Sequence, residues 1–536
     1  MRSAQEIAGL LQELADRVVF AQEGQWKSRA YSEAARRIAD GSVDLSRPTA
    51  LEDAPGIGVK IGGKIRRMLE GELPASLVRL RADQPPELSA LLRLPGVGPS
   101  TARKLWAEGI GRVGELEAKL RAGTPLPGIS PSQRTHLLRA FSERRLGVPL
   151  PELMAASAAL MRSLRGVQPA GALRRLDPTV KDPQWFAPGS ADNRRAWLEM
   201  QPFALPSGFT LGPKCLRFVE ESVLGAALLA ATGPAAFLEE LQRALERRGL
   251  RMTPQGIFEG GTLVPCATEE EVFRGAGMEA VPPTLRGLDP ARRAAAPRTV
   301  QGDLHTHSTW SDGAESIATM AAAAVARGYS YLAVTDHSQG LKVANGLTPE
   351  RYRAQRQEIR DVQRSLPEGF RLLQGCEVDI HSDGSLDLPD DLLSELDVVI
   401  ASVHGQFDQG VEEATMRLVR AIRHPLVTAI GHPGARKLGL RPPIAADWGR
   451  VFAAAREAGT ALELNASPRR LDLDYRWLGD AGAQGLRFLI DTDAHSVEEL
   501  GYMPLGIAQA QKAGVAAKDI LNAGPVEDVL RRPARR

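Results

Sequence analysis

From residue 300 onward the sequence repeats one unit: a short apolar run, a polar cluster, then a helical stretch. The runs are Val300–Leu304, Tyr331–Val334, Leu372–Leu373, Val398–Ala401, Val427–Ile430, Ala461–Leu464 and Phe488–Ile490. Strands that alternate with helices in this way pair in parallel, because each crossover returns the chain to the same end of the sheet. A length of roughly 235 residues suits one β/α barrel. In such a barrel the C-terminal strand ends converge on one face, so side chains far apart in sequence meet there.

The residues at those strand ends are chemically uniform. His305 and His307 follow the first run, with Asp312 close behind; Asp336 and His337 follow the second. Glu377, His404 and His432 follow the third, fourth and fifth, and Asp493 and His495 follow the last. Six of the nine histidines in the chain fall in this register. Imidazole nitrogen and carboxylate oxygen suit Zn²⁺, Mn²⁺ or Fe²⁺. The predicted ligands are His305, His307, Asp312, His337, Glu377, His404, His432, Asp493 and His495. Nine ligands exceed the needs of one ion, so two or three divalent ions are expected, Mn²⁺ or Zn²⁺ ahead of Fe²⁺. The His-x-His pair fits a strand end, where alternate side chains share a face. Asp336, beside His337, is assigned a catalytic role. His136, His381 and His424 fall outside the register and read as structural.

The first 150 residues are a different kind of chain, rich in Ala, Leu, Arg and Glu at helical spacing. Two segments echo each other, each a helix, then Pro-Gly-hydrophobic-Gly, then a helix: Leu51–Ile65 with Pro55, Gly56 and Gly58, and Leu91–Leu105 with Pro95, Gly96 and Gly98. Glycines let a backbone approach a phosphate closely, and free N–H groups at the second helix start bind its oxygens whatever the base. Gly56, Gly58, Lys60, Lys64, Gly96, Gly98 and Lys104 are therefore candidate DNA contacts. Charge agrees: residues 1–150 hold 23 Lys+Arg against 17 Asp+Glu, whereas residues 301–536 hold 26 against 32. An acidic C-terminal part would repel nucleic acid unless cations fill it.

A chain of 536 residues implies several domains. No apolar stretch is long enough to span a bilayer, and Met1–Leu14 lacks a secretory layout. Cys215, Cys266 and Cys376 are too scattered for a disulfide framework or a CxxC site, and read as reduced thiols. The expectation is a monomeric cytoplasmic protein.

The motifs also carry a family resemblance. Asp303-Leu-His-Thr-His-Ser, Thr335-Asp-His, Gly375-Cys-Glu, Ser402-Val-His, Gly431-His-Pro and Asp493-Ala-His resemble the PHP (polymerase and histidinol phosphatase) domain. That resemblance implies an irregular β/α barrel, a three-metal site and phosphoester hydrolysis. It brings in Arg436, in Gly431-His-Pro-Gly-Ala-Arg, as a clamp for the substrate phosphate. The Pro-Gly-x-Gly segments resemble helix-hairpin-helix motifs. Arg29-Ala-Tyr31 and Ala34-Ala-Arg36 resemble the N-terminal domain of X-family DNA polymerases, and Gly256-Ile-Phe, Ala267–Phe273, Val281-Pro-Pro and Thr284-Leu-Arg resemble their thumb. Taken in order, the chain resembles the bacterial PolX family, whose activities are gap-filling synthesis and 3′–5′ exonuclease.

The resemblance is weakest in the palm. The family's Gly-Ser and two arginines match Gly171-Ala-Leu-Arg174-Arg175, with Ala172 replacing Ser. Its Asp-x-Asp matches Asp182-Pro-Gln184, and Cys215 stands where a third Asp is expected. Two of three metal-binding carboxylates are thus missing, leaving Arg174, Arg175 and Asp182 as residues of a degenerate palm. Lys64 occupies the place of the family's lyase Lys, and reads instead as a phosphate contact.

The expected division is a helical domain over 1–85, a fingers-like domain over 86–149, a degenerate palm over 150–230, a thumb over 231–287, a linker over 288–299 and the PHP domain over 300–536. The fold class is multidomain, α+β with α/β. The expected function is 3′–5′ exonucleolytic hydrolysis of gapped or 3′-ended DNA, with polymerase activity lost. The alternatives are a bifunctional polymerase and exonuclease, a histidinol-phosphatase-like enzyme, and a non-catalytic DNA-binding scaffold.

Overall fold

The computed structural model describes residues 4–39, 43, 45, 51–52, 54, 57–94, 96–144, 147–200, 203–205, 209–253, 255–478 and 485–531. They form two compact units, Met1–Arg145 and Leu146–Leu205 with Phe209–Arg536.

The first unit is helical, with separate small cores for its two repeats. Ile7, Leu11, Ile57, Ile65 and Met68 pack together in one, and Leu91, Val97, Leu105, Leu116 and Phe141 in another. The second helix of each hairpin, Val59–Leu69 and Pro99–Ala107, begins directly after a glycine.

The second unit contains, after helix Leu150–Ser163, a three-stranded sheet of β1 (Gln168–Ala170), β2 (Gln184–Pro188) and β3 (Leu216–Val219), in that order. β1 runs antiparallel to β2, and β3 parallel to it. A second sheet, β4 (Leu250–Thr253), β5 (Gly256–Glu259) and β6 (Thr262–Val264), is an antiparallel meander. Helix Glu269–Ala276 follows, started by a capping box on Thr268 and Glu271 and ended by Gly277 at φ 66°.

The barrel then has seven strands: β7 (Gly302–Asp303), β8 (Tyr331–Val334), β9 (Arg371–Asp379), β10 (Val398–Ser402), β11 (Ala429–Ile430), β12 (Ala461–Asn465) and β13 (Phe488–Asp491). All neighbours are parallel and in chain order. Every predicted run contains or lies within one of these strands. β9 is longer than its apolar run suggests. Its first half pairs with β8 (Tyr331 opposite Arg371) and its second half with β10 (Gly375 opposite Val398). Glu377 therefore lies inside a strand, not after one.

The ring is nearly closed between its first and last members. Thr306 bridges to Ala494, Leu304 N donates to Asp491 Oδ1 at 2.8 Å, and Thr492 Oγ1 donates to Asp303 Oδ2 at 2.5 Å. Most barrel strands are buried on both faces, as parallel strands covered by helices must be.

The small α+β part packs into the same unit. Leu150, Leu153, Leu173 and Trp185 share a core with Leu438, Leu471 and Leu505 of the barrel. Lys512 pairs with Asp177, and Gln509 Nε2 donates to Leu176 O at 3.0 Å. Cys215, Cys266 and Cys376 are free and buried. No helix among the described residues is long and apolar enough to cross a membrane.

A candidate metal centre at the barrel mouth

Glu377 is the hub of the site. Its Oε1 lies 2.9 Å from His432 Nε2 and 3.1 Å from His404 Nε2. Its Oε2 lies 2.8 Å from His337 Nδ1, 3.3 Å from His305 Nε2 and 3.5 Å from His307 Nε2. One carboxylate thus faces five imidazoles, the arrangement of a bridging ligand. Asp493 Oδ1 lies 3.3 Å from His307 Nε2 and 3.7 Å from His305 Nε2. Asp312 Oδ1 is 3.5 Å from both His337 Nε2 and His495 Nε2. The ligand atoms fall into three overlapping groups: His307, Asp312, His337 and His495; His305, His307, Glu377 and Asp493; and His337, Glu377 and His404. His432 joins through Glu377. The structure thus brings all nine predicted ligands together.

Orphaned atoms test whether cations fit. Among the described residues, His305 Nε2, His307 Nδ1 and Nε2, His337 Nδ1, Glu377 Oε2, His404 Nδ1 and Nε2, and His432 Nδ1 are buried without a hydrogen bond of proper geometry. Buried polar atoms in such numbers are costly unless something else satisfies them. Donors that stand within 4.8 Å of one another yet do not hydrogen-bond are aimed at shared points between them. Divalent cations fit this donor set.

The electrostatics agree. Burial opposes the charge on Glu377, but His404, His305 and His337 outweigh it and hold the carboxyl well below the usual range. Asp493 is likewise held low, against burial, by His305, His307 and Arg470. Burial, then the neighbouring His495 and His337, push His307 down to about 3, a neutral ring with one nitrogen lone pair to give.

A second layer holds these ligands. Glu463 Oε1 lies 2.6 Å from His305 Nδ1, and its Oε2 accepts from His432 N. Asp493 O is 2.8 Å from His495 Nδ1. Such partners fix the tautomer and orientation of a ligating imidazole. Gly431 leaves room for this packing, since a Cβ there would stand 2.3 Å from Ser402 Oγ. Glu463 was missed in the sequence. Its signal was a charged residue inside the apolar run Ala461-Leu-Glu-Leu-Asn465, where period-two alternation puts Glu463 and Asn465 on one face of a buried strand.

Two assignments need correction. Asp336 does not face the cluster. Its oxygens accept from Ser308 N (2.8 Å), Ser308 Oγ (2.6 Å), Ser311 Oγ (2.5 Å) and Gln355 Nε2 (2.6 Å), so it is spent on bracing the loop after His307. Arg436 is no phosphate clamp. It is buried, with Nη1 on Asp474, Nη2 on Leu471 O and Nε on Arg470 O at 2.8 Å. Each of its three guanidinium nitrogens already has an acceptor. His381 and His424 sit away from the centre beside Asp387 and Asp390, and the side chain of His136 lies outside the described residues.

The hairpin glycines share one geometry. Gly58 (φ −80°, ψ 167°) and Gly98 (φ −85°, ψ 177°) cap their helices without any side-chain hydrogen bond, and a Cβ on either would meet nothing within 4 Å. Each helix start therefore stands open. Gly96 has φ 74°, while Gly56 lies outside the described residues. Lys60 and Lys104 are exposed; burial and the nearby Arg67 and Lys60 lower the pKa of Lys64.

In the small sheet, Trp185 pairs with Leu216, so Gln184 and Cys215 are the adjacent residues one step back. Asp182 is exposed. Arg174 is held by Glu269 Oε2 (2.8 Å) and Gln168 Oε1 (2.6 Å), and Arg175 by Thr232 O (2.8 Å).

Comparison with known proteins agrees with this architecture. Family models match a helix-hairpin-helix domain at residues 2–72, a DNA polymerase beta thumb at 227–287 and a PHP domain at 303–467. A Bacillus subtilis protein named DNA polymerase/3′-5′ exonuclease PolX is 32% identical over 98% of this chain and 98% of its own length. The chain belongs to the PolX family. The PolX barrel also has shorter relatives. Proteins named probable phosphatase from Thermoanaerobacter sp. and Caldanaerobacter subterraneus are 30% and 32% identical over 44% and 41% of this chain, which covers 96% and 86% of their lengths.

Proposed function

We propose that this chain is a metal-dependent 3′–5′ exonuclease acting on DNA, with the barrel-mouth cluster as its active site. The carrying observation is Glu377, which faces His305, His307, His337, His404 and His432 while seven buried nitrogens of these imidazoles lack hydrogen bonds. Two or three divalent ions, Mn²⁺ or Zn²⁺ ahead of Fe²⁺, would supply there an activated water and charge neutralisation for in-line displacement at phosphorus. The nine ligands are His305, His307, Asp312, His337, Glu377, His404, His432, Asp493 and His495. Glu463 orients His305, so that imidazole keeps a fixed direction without reorganisation. The mouth opens to solvent on the side of Asp312, which is exposed, and His495, which is partly buried, and a strand end would enter there.

The hairpins deliver DNA in this reading, through the open helix starts at Gly58 and Gly98 with Lys60, Lys64 and Lys104 beside them. Polymerase activity is lost. Nucleotidyl transfer needs two metals on paired carboxylates, and Gln184 and Cys215 are neutral. Arg174 and Arg175, tied to Glu269 and Thr232, serve to hold the small sheet to its neighbours. The protein acts as a cytoplasmic monomer.

The test is a 5′-labelled primer on gapped DNA with Mn²⁺, with and without dNTPs. Shortening in both conditions supports this reading. Lengthening with dNTPs would restore the bifunctional reading, and no change in either would favour a scaffold.

A further inference from the structure

Two loops at the barrel mouth carry cations that the metal ligands do not use. Arg470 places Nε 3.2 Å from Asp493 Oδ2, with its side chain only 14% exposed. Its Nη1 is buried and has no hydrogen-bond partner among the described residues. A buried guanidinium N–H in that state is costly unless an acceptor arrives. The carboxylate of Asp493 occupies one side of the fork; the Nη1 side has no partner among the described residues.

Three further cations stand around it. Lys437 N donates to Arg441 O at 2.8 Å and Arg441 N to Lys437 O at 2.7 Å, a tight turn that sets the two residues opposite each other. Arg441 is fixed by Nε on Ala435 O at 2.8 Å and by its guanidinium lying 3.6 Å over the Phe407 ring. Leu438 N donates to Arg469 O at 2.8 Å, which ties this turn to the loop holding Arg469 and Arg470. The four charges feel one another. Partial desolvation, then Arg470, Arg441 and Arg469, lower Lys437. Burial, then Arg470, bring Arg441 down to about 10. Asp493 and Asp472 are the carboxylates that face them. Concentrating four cations on the mouth of an acidic domain stores repulsion that an anion relieves.

The geometry points to a phosphate track beside the metal centre, in which Arg470 takes an oxygen of the phosphodiester being cut and Lys437, Arg441 and Arg469 take the next phosphate of the same strand. The ligand class is a polynucleotide backbone, not a lone phosphomonoester. This rests on the exonuclease reading above and adds its substrate contacts. Arg436, through its bond to Arg470 O, is the buried anchor of the loop that carries the clamp.

The test uses the full-length, Mn²⁺-loaded protein, with binding measured by calorimetry. The probes are inorganic phosphate and a 5′-phosphorylated dithymidylate with a hydrolysis-resistant phosphorothioate link. Arg470→Met should weaken both probes about tenfold, with metal content unchanged; each tenfold is about 1.4 kcal/mol. Arg470→Lys should recover part of that loss. Lys437→Met with Arg441→Met should weaken the dinucleotide about tenfold and leave inorganic phosphate nearly unaffected. Unchanged phosphate binding by Arg470→Met would overturn the clamp. Loss of metal in that variant would overturn it too, reducing Arg470 to a support for Asp493. Equal effects of the double variant on both probes would overturn the track. Should the wild type fail to shorten DNA while these binding differences hold, the exonuclease reading falls and the anion site stands.

Discussion

Glu463 stands behind His305, its Oε1 2.6 Å from the ring Nδ1, so that Nε2 is the nitrogen turned toward Glu377 and Asp493. A carboxylate in this position fixes the tautomer and raises the basicity of the ligating nitrogen. Glu463→Gln keeps the shape and removes the charge. It should lower metal affinity by about 10–100-fold, read by chelator competition, with thermal stability of the rest of the chain preserved. Unchanged affinity would mean that His305 needs no such partner.

Arg436 and Asp474 form a buried pair, and Arg436 also holds two backbone carbonyls. Removing one member of a buried pair costs about 3–5 kcal/mol. Since Asp474 keeps Arg476, the lower end applies to Arg436→Met. Urea unfolding measures this directly. A loss below about 1 kcal/mol would place the arginine among surface ion pairs instead.

Lys512 gives a pH signature. Burial, only partly offset by Asp177, lowers its pKa from the ordinary lysine range to about 8. Between pH 8 and 10.5 the unfolded chain therefore binds more protons at this site than the folded one, so its contribution to stability rises with pH across that window. In the Lys512→Met variant this rise should vanish, leaving the difference from wild type pH-dependent there. Parallel unfolding curves for the two proteins from pH 8 to 10 would contradict the assignment.

The hairpins can be tested without strain. Gly58 and Gly98 have ordinary extended φ and open space around a Cβ, so valine fits both folds while standing where a phosphate would approach. Gly96, at φ 74°, would instead deform its turn. Gly58→Val with Gly98→Val should weaken duplex DNA binding about tenfold and flatten its salt dependence. Hydrolysis of a small phosphodiester should stay at the wild-type rate. Unaltered DNA affinity in a salt titration would make the hairpins purely structural.

The nine candidate ligands were legible because a β/α repeat turns sequence period into spatial convergence: each of the six histidines follows an apolar run within five residues. Glu463 escaped because it lies within its strand, where alternation, not position after the run, is the signal. Asp336 and Arg436 misled for the opposite reason. Asp336 stands beside the candidate ligand His337 and Arg436 four residues after His432, yet successive side chains at a strand end point to opposite faces, and the turn after His432 carries Arg436 onto Asp474. Arg470 could not be found by motif, since its role depends on the loop after β12 folding against the loop after β11. The small sheet was readable only through Gln184 and Cys215, whose adjacency required the β2–β3 register.

Metal content bears most directly on the central claim. Purified protein should hold at least two equivalents of divalent transition metal per chain by elemental analysis. His305→Ala with His307→Ala should lose metal and shortening of a 5′-labelled primer together, while still binding DNA through the hairpins. Full metal occupancy in that double variant, or undiminished primer shortening without metal, would contradict a catalytic cluster at the barrel mouth.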